Sequence, residues 1–502
     1  MKSNFKNAVY NAIGFIFPVA VGLITTPYIV HKLGTEIYGI YVLAISLAGM
    51  LSFLDLGFGQ GIIKFVSHYK AKNDLKKINE IVNTSFLLIN IAMGLLGGLI
   101  IFLLSDFLSK KVFKVGPEQI EVAVTSFKIV SIGFVLNLIS STFSNIPKAF
   151  QRYDISVKVQ NIVWFLSVIS SVIVLYLGYS LVEMLIFYVI FQFLGLISYF
   201  WFSKKLIRNL KLSLKFNKDV FKEIFGFSIF TAINSITGNI VFRLDKMIIA
   251  YFLGSSAVTY YQIPFTIVQM ANNFVSSVIQ FLFPTVSFLN SAGAGEKNKL
   301  KQIYIKSTKY VIAFSLIVFS GLVLFGKPFL KIWMGEEISE ISYPLLVIIS
   351  LVYFFISISN IGFYYYNGLG LSKINMISSF VGAISYVISA IILIPAFNIK
   401  GAALSFVFVL LPCPVYIYIL NRVLGFSQAE YLKTLAKSAA LLVLTLASNF
   451  VFYFVLIHDI IIYTAVNVVI FILVNSFLFV LRILEFGEIR YIIYTINRGL
   501  KK

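Results

Sequence analysis

The amino-acid sequence predicts an all-α integral membrane protein with about fourteen transmembrane helices. Hydrophobic residues make up 59% of its 502 residues and charged residues only 12%, whereas soluble domains contain about 25% charged residues. The mean hydropathy is +0.93. Apolar runs of about 20 residues, long enough to cross a bilayer, recur along the whole sequence, which excludes a signal peptide followed by a soluble domain.

The basic residues predict the orientation of these spans. The formal net charge is +21, but Lys and Arg cluster in short segments between apolar runs, which indicates membrane topology rather than nucleic-acid binding. About 31 of the 41 basic residues fall on one side of the predicted membrane, together with both chain termini. We therefore expect both termini in the cytoplasm.

A weak internal repeat at an offset of about 220 residues predicts two similar lobes. Leu33-Gly34 corresponds to Leu253-Gly254, and Gln60 corresponds to Gln280. Each copy contains six predicted helices, an even number, so the two lobes are parallel in the membrane and describe a transporter with a site between them. The predicted domains are an N-terminal lobe over 1–215, a C-terminal lobe over 216–430, and helices 13 and 14 with a cytoplasmic tail over 431–502.

The seventh predicted span, residues 224–253, carries a polar stripe. Steps of three and four residues place its members on one helix face; they are Thr231, Ser235, Asn239, Arg243 and Lys246. Arg243 precedes Gly254 by eleven residues, about 16 Å of helix, so it lies deep in a bilayer of about 30 Å. An ionised side chain facing lipid there costs at least about 2.5–3.5 kcal/mol. We expect Arg243, Lys246 and Asn239 to line a substrate cavity. Asp245 is a candidate counter-ion, a structural acid or a carboxylate for ion coupling.

The eighth predicted span, residues 257–288, has a second uncharged polar stripe. Its members are Gln262, Thr266, Gln269, Asn273, Ser276 and Gln280. Two interpretations remain open at this point. Gln269 and Asn273 line the same cavity, or the stripe forms a hydrogen-bonded seam against the seventh span.

Two further charged residues fall within predicted spans of the first lobe. Asp55 precedes three closely spaced glycines that permit a bend or close helix contact. It is a candidate carboxylate for ion coupling, or it pairs with Lys64 or a basic loop. Lys128 either lines the cavity or extends to the membrane interface.

Three basic residues lie at the predicted inner mouth, where an anionic head group or a pyrophosphate could dock. They are Lys64, Lys148 and Arg152. Their alternative role is to set the membrane topology.

Several classes of function are excluded by what the sequence lacks. It has no phosphate-binding loop of the Gly-x-x-x-x-Gly-Lys-Ser/Thr type, and the glycines after Asp55 follow no strand, so neither an ATP nor a dinucleotide site is expected. One cysteine, Cys413, and three scattered histidines predict neither a disulfide nor a metal site. We expect no enzyme activity and no cofactor, and the coupling ion, H⁺ or Na⁺, is left open.

Four motifs indicate a family resemblance. They are Lys32-Leu33-Gly34 with Tyr38-Gly39-Ile40-Tyr41, Leu54-Asp55-Leu56-Gly57, Arg243-Leu244-Asp245-Lys246 with Phe252-Leu253-Gly254, and Trp333-Met334-Gly335-Glu336. With these motifs the sequence resembles the polysaccharide flippases of the multidrug/oligosaccharidyl-lipid/polysaccharide exporter superfamily, which transport O-antigen and capsule repeat units. The motifs are spread over both lobes, and their order and spacing together are specific.

The resemblance implies both a fold and a substrate. The fold is that of the multidrug-extrusion (MATE) transporters, with two six-helix lobes around a central cavity and a terminal helix pair. The substrate is an undecaprenyl-pyrophosphate-linked oligosaccharide, moved from the inner to the outer leaflet of the bacterial cytoplasmic membrane by alternating access. Arg243 and Asp245 correspond to positions in a family motif. The expected partners are this lipid, membrane lipids, a polysaccharide polymerase and glycosyltransferases, and the alternatives are a drug or metabolite antiporter and a lipid II flippase.

Overall fold

The computed structural model describes residues 2–207, 210–213, 216–291, 297–429 and 460–480, with three isolated residues between 430 and 459. Within these ranges the side chains of 2–17 and 229–242 and a few single side chains are not described. Every regular element in the described part of the chain is a helix, so the predicted all-α fold class is confirmed. Contacts divide the chain into two compact units, Met1–Thr259 and Tyr260–Lys502.

The described residues of the first unit form eight α-helices and the start of a ninth. The eight are α1 (Lys2–Met50), α2 (Phe58–Ala71), α3 (Leu75–Ser85), α4 (Gly94–Phe107), α5 (Ile120–Ala149), α6 (Tyr153–Tyr176), α7 (Leu181–Leu206) and α8 (Lys218–Leu253). A 3₁₀ segment, Leu51–Asp55, links α1 to α2, and a π-helical segment, Phe86–Met93, links α3 to α4. Leu56 and Gly57 both have positive φ angles, so the chain bends at the first of the three glycines, one of the two predicted roles.

The described elements of the second unit are also helices. Its described helices are α9 (Ser255–Ile279), whose first residues belong to the first unit, α10 (Leu282–Ser291), α11 (Lys297–Met334), α12 (Glu336–Gly368), α13 (Ser372–Val407), α14 (Cys413–Leu424) and α15 (Ile460–Val480). Helix α15 packs on α11, where the amide of Asn467 donates to the carbonyl of Leu324 over 2.7 Å. It matches the last predicted span, whereas the span predicted over 432–457 lies outside the described residues.

Two glycine turns agree with the predicted internal repeat. Gly34 breaks α1 with φ 74° and ψ 166°, and Gly254 separates α8 from α9 with φ 88° and ψ 179°. This combination of angles is accessible to glycine and strained for other residues. The two positions aligned by the 220-residue offset therefore share an unusual backbone conformation, as expected for equivalent turns.

Helix α5 forms the centre of the first unit, where it packs against α1, α2, α4, α6 and α7. A buried polar cluster fixes α5 to the π-helical segment. The Asn90 amide donates to the Leu138 carbonyl and, over 3.1 Å, to Ser141 Oγ, and the Thr142 hydroxyl donates to Asn90 Oδ1 over 2.6 Å. Since lipid offers no competing partners, such bonds specify how two apolar helices pair.

Nine helical segments of the described residues are long and apolar enough to cross a membrane. The chain is therefore a multi-pass membrane protein. The total of fourteen spans stays a prediction, because parts of the seventh and most of the thirteenth predicted spans lie outside the residues whose length and hydropathy could be assessed. The domain boundaries at 215 and 430 also remain predictions.

Candidate functional site

A polar cavity of about 470 Å³ lies inside the first unit. Four helices, α1, α5, α6 and α7, supply its lining. The polar and aromatic lining residues include Thr25, Thr26, Tyr38, Tyr41, Asn137, Ser140, Ser141, Ser144, Lys148, Ser156, Gln160, Trp164, Ser167, Ser171, Tyr188, Gln192 and Tyr199. Its size is in the range of about 300–1,000 Å³ that is typical of small-molecule sites. We call it the polar cavity.

Helical periodicity explains why these side chains converge. Helix α5 presents Asn137, Ser141, Ser144 and Lys148; α6 presents Gln160, Trp164, Ser167 and Ser171; α7 presents Tyr188, Gln192, Gly195 and Tyr199. On all three helices the steps are four, three and four residues, which keeps each set on one face. The sequence analysis identified this periodicity in the seventh and eighth spans but missed it here, because these stripes carry at most one charge.

Most hydroxyl groups of the polar cavity donate their proton to backbone carbonyls of the protein. Thr25 donates to Val21 over 2.9 Å, and Ser167 donates to Val163 over 2.8 Å. Further bonds of this kind are formed by Thr26, Ser144, Ser156, Ser171 and Tyr199. A hydroxyl oxygen retains lone pairs after donating its proton, so these groups present acceptors to a ligand.

Lys148 supplies the charge of the polar cavity. Its Nζ atom lies 3.1 Å from Asn145 Oδ1, and an ammonium group has three donors, so two remain for a ligand. No Asp or Glu occurs among the described residues that line the cavity. The structure thus places Lys148, predicted at the inner mouth, in the cavity wall.

The other two predicted mouth residues lie elsewhere. Arg152 forms a bidentate ion pair with the exposed Asp154, with Nε–Oδ1 and Nη2–Oδ2 distances of 2.9 and 3.0 Å. Lys64 is exposed, with Nζ 5.1 Å from the ring centre of Phe65. Neither lines the polar cavity described above. Docking of an anionic head group at these two residues stays a prediction.

Asp55 lies next to the cavity wall. Its Oδ2 atom accepts a hydrogen bond from the Gly59 backbone N–H over 3.1 Å, and its Oδ1 atom accepts one from Ser141 Oγ over 3.1 Å. Ser141 lines the polar cavity and is also bonded to Asn90. The carboxylate is therefore one hydrogen bond away from the cavity, although the sequence offered no means of pairing it with Ser141.

Arg243 is half-buried and contacts α1. Its guanidinium carbon lies 2.6 Å from the position that a Cβ atom of Gly49 would occupy. Its charge also interacts electrostatically with Tyr188 of the polar cavity. None of the described acidic residues forms an ion pair with Arg243.

Lys246 differs from Arg243 because it has a partner. Its Nζ atom lies 2.9 and 2.8 Å from the two carboxylate oxygens of Asp245, and both side chains are almost fully buried. Lys246 is therefore paired with an acid within its span. Adjacent residues do point in different directions, but the four-carbon lysine chain curls back along the helix. Asp245 is thus the counter-ion of Lys246, and its role in ion coupling stays a prediction.

Lys128 lies outside the polar cavity. Its Nζ atom is 3.7 Å from Asp106 Oδ2 and 5.4 Å from the ring centre of Phe102, and 39% of its side chain is exposed. Asp106 also pairs with Lys110 over 3.0 Å. Of the two predicted alternatives, these contacts favour the extended, interfacial lysine, since its ammonium reaches a partly exposed acid instead of the cavity.

The remaining predicted cavity residues lie on α8 and α9. The side chain of Asn239 is outside the described residues. In the second unit, Gln269 is half-buried and Asn273 is exposed. Two other residues of α9 form a seam: Ser357 donates to Asn272, which lies beside the predicted stripe, over 2.9 Å, and Asn360 donates to Ser276, a member of the stripe, over 3.0 Å. The seam is against α12, whereas the sequence analysis placed it against the seventh span.

A family model agrees with this arrangement. The model described as "Polysaccharide biosynthesis protein" matches residues 5–290, more than half of the sequence. The chain belongs to this family. The matched residues include the whole first unit beyond its first four positions, and thus the polar cavity, Asp55 and Arg243.

Individual relatives support the same assignment. The "Putative O-antigen transporter" of Shigella flexneri is 23% identical over 414 residues, which cover 80% of this chain and 94% of that protein. The resemblance to polysaccharide flippases is thereby confirmed. This relative is named as a transporter, not as an enzyme.

Two solved structures confirm the MATE-like fold. "Lipid II flippase MurJ, inward closed conformation" superposes with a TM-score of 0.71 at 16% identity, over 93% of this chain and 97% of that one. An inward-facing multidrug resistance MATE family transporter superposes with a TM-score of 0.68 at 14% identity, over 82% and 94%. At these identities the likeness concerns the fold alone.

Proposed function

We propose that the protein moves an undecaprenyl-pyrophosphate-linked oligosaccharide from the inner to the outer leaflet of the bacterial cytoplasmic membrane by alternating access, with both termini in the cytoplasm. The observation that carries this proposal is the polar cavity inside an apolar helix bundle. Polar groups exposed to hydrocarbon cost several kcal/mol each, so a head group crosses the membrane only where protein replaces its water. The family membership and the name of the Shigella relative support the same conclusion.

The charges near the cavity suit an anionic lipid. Arg243 and Lys148 form no ion pair with described residues, and the cavity lining contains no acid. A guanidinium binds phosphate oxygens through paired N–H donors. In this proposal Arg243 binds the pyrophosphate and Lys148 is available to an acidic group of the oligosaccharide.

Asp55 is the candidate residue for ion coupling. Its hydrogen bond to Ser141 connects it to the cavity wall, and intramembrane carboxylates commonly form part of ion pathways. Binding of H⁺ or Na⁺ at Asp55 would change the charge next to the bound head group. The choice between these ions belongs to experiment.

A deletion strain tests the proposal. Without the protein, lipid-linked repeat units should accumulate in the inner leaflet, measured by their protection from a periplasmic glycan-cleaving enzyme, and surface polysaccharide should disappear. Wild-type protein should restore both properties, whereas Arg243→Glu should restore neither at an equal protein level. Normal surface polysaccharide in the deletion strain would refute the proposal.

The fold also agrees with a lipid II flippase, since the MurJ structure superposes over nearly the whole chain. In that case, depletion should trap lipid II, not the repeat unit, in the inner leaflet. A multidrug antiporter is the other alternative. Because Arg243 and Lys148 would repel a cationic drug, cationic dye efflux should be equal in deletion and wild-type strains under the proposed function.

A further inference from the structure

The polar cavity presents both acceptors and donors of hydrogen bonds to a ligand. Hydroxyl protons on all four lining helices are donated to backbone carbonyls, which leaves their oxygens as acceptors. Donors without an acceptor in the described part of the protein are the amides of Asn137 and Gln160, the indole N–H of Trp164, and the hydroxyls of Tyr38, Tyr41 and Ser140. A diphosphate accepts hydrogen bonds but donates none when ionised, so it would leave the acceptors of this lining without donors.

A sugar ring matches the same lining well. Each sugar hydroxyl can donate to a serine or threonine oxygen and accept from an amide. The lining also contains five aromatic residues, which are Tyr38, Tyr41, Trp164, Tyr188 and Tyr199. Such side chains combine an apolar ring face with a polar edge, and the two faces of a pyranose are likewise apolar C–H surfaces edged by hydroxyls.

Arg243 lies next to the cavity and not in its lining. The charge of Arg243 interacts electrostatically with Tyr188, which lines the cavity. A diphosphate bound to Arg243 would therefore leave the cavity to the sugars attached to it. The sugars and the diphosphate of the head group would thus occupy two neighbouring sites of the first unit.

We propose that the polar cavity is a saccharide subsite that binds neutral sugar rings of the head group, with Trp164 as the stacking platform and Gln160 as a hydroxyl-binding amide, separate from the diphosphate site at Arg243. This inference rests on the proposed function. It adds that recognition of the sugar and of the lipid pyrophosphate are energetically separable. Trp164 and Gln160 are one helical turn apart on α6, so both reach the same ligand.

Binding of two defined lipids to the purified full-length protein tests this subsite. The probes are undecaprenyl pyrophosphate without sugar, and the lipid-linked repeat unit extracted from the strain that lacks this protein. We expect Trp164→Ala combined with Gln160→Ala to weaken binding of the glycosylated lipid at least tenfold and to leave binding of the sugar-free lipid within twofold. Arg243→Gln should weaken binding of both lipids by a similar factor.

Matched controls keep folding separate from binding. Trp201→Ala on α7 removes an exposed tryptophan outside the cavity lining, and Asn161→Ala removes an amide beside Gln160 that does not line the cavity. Both should bind the two lipids like wild type. All variants are compared only after elution as a single species with a thermal midpoint near that of wild type, and Trp164→Leu with Gln160→Leu serves as a second pair if the alanine pair fails to fold.

Each outcome decides the question. Equal losses for both lipids in the Trp164 and Gln160 variant would place the diphosphate in the cavity and overturn the saccharide subsite. Unchanged binding of both lipids would also overturn it, while leaving the proposed function intact. If wild-type protein binds neither lipid, the proposed function fails as well.

Discussion

The guanidinium carbon of Arg243 on α8 lies 2.6 Å from the position that a Cβ atom of Gly49 on α1 would occupy. A glycine at this position of α1 therefore gives the arginine the space it needs between two membrane helices. Real Cβ atoms do not approach other atoms this closely, so any side chain at position 49 must displace Arg243.

Gly49→Ala should thus reproduce part of the defect of an Arg243 substitution. We expect at least a tenfold loss of surface polysaccharide in the complementation assay, with little loss of protein, because the arginine end is flexible and can move away. Gly226→Ala is the control, since a Cβ atom on this α8 glycine would meet no atom within 4 Å. Full activity of Gly49→Ala would show that the position of Arg243 is unimportant for transport.

The buried Lys246–Asp245 pair predicts a distinctive pattern of stability. Removal of one partner leaves an unpaired buried charge, at a cost of about 3–5 kcal/mol, whereas replacement of both partners by apolar residues is often neutral. Asp245→Leu and Lys246→Met should each lower the thermal midpoint in detergent, and the double variant should recover most of the loss. A Lys246→Met variant that is stable but inactive would instead support the predicted cavity role of Lys246.

Asn90 should contribute to stability through its bonds to α5. Asn90→Leu leaves the Leu138 carbonyl and the Thr142 hydroxyl without this partner, which we expect to cost about 1–3 kcal/mol. Thermal unfolding followed by size-exclusion chromatography measures the effect. Thr142→Val removes the same Thr142–Asn90 bond, so the double variant should lose less than the sum of the single losses. Strict additivity would contradict the shared bond.

Asp55→Asn separates a coupling role from a structural one. An asparagine oxygen can still accept from Gly59 or Ser141, so the protein should fold, but the side chain no longer ionises. If Asp55 binds the coupling ion, transport should fall at least tenfold in Asp55→Asn while the thermal midpoint stays near that of wild type. Retained transport would assign Asp55 a structural role as an acceptor of hydrogen bonds.

Local sequence patterns were sufficient to predict the fold class and part of the candidate site. Apolar runs of membrane length predicted the helices, since in lipid a helix satisfies its own backbone. The sequence alignment of Gly34 with Gly254 picked two positions that both have a positive φ angle, which favours glycine. The depth of Arg243 in its span followed from the rise per residue of a helix.

Only the tertiary structure shows that the polar faces of α5, α6 and α7 meet in one cavity. The stripes on α5, α6 and α7 have the same four-three-four spacing in the sequence, but spacing within one helix does not state which other helix it faces. Packing of α5 against α6 and α7 brings Lys148, Trp164 and Tyr188 into one cavity.

Which acid each lysine pairs with depends on the conformation of the lysine side chain, and the sequence does not specify that conformation. Lys246 curls back to the adjacent Asp245, and Lys128 extends to Asp106 on a different helix. Because lysine chains are flexible, the folded structure decides whether a lysine contacts a neighbour in sequence, as Lys246 does, or an acid on another helix, as Lys128 does. The sequence by itself therefore determined where helices and intramembrane charges occur, and the tertiary structure decided which of those charges are paired and which remain available to a ligand.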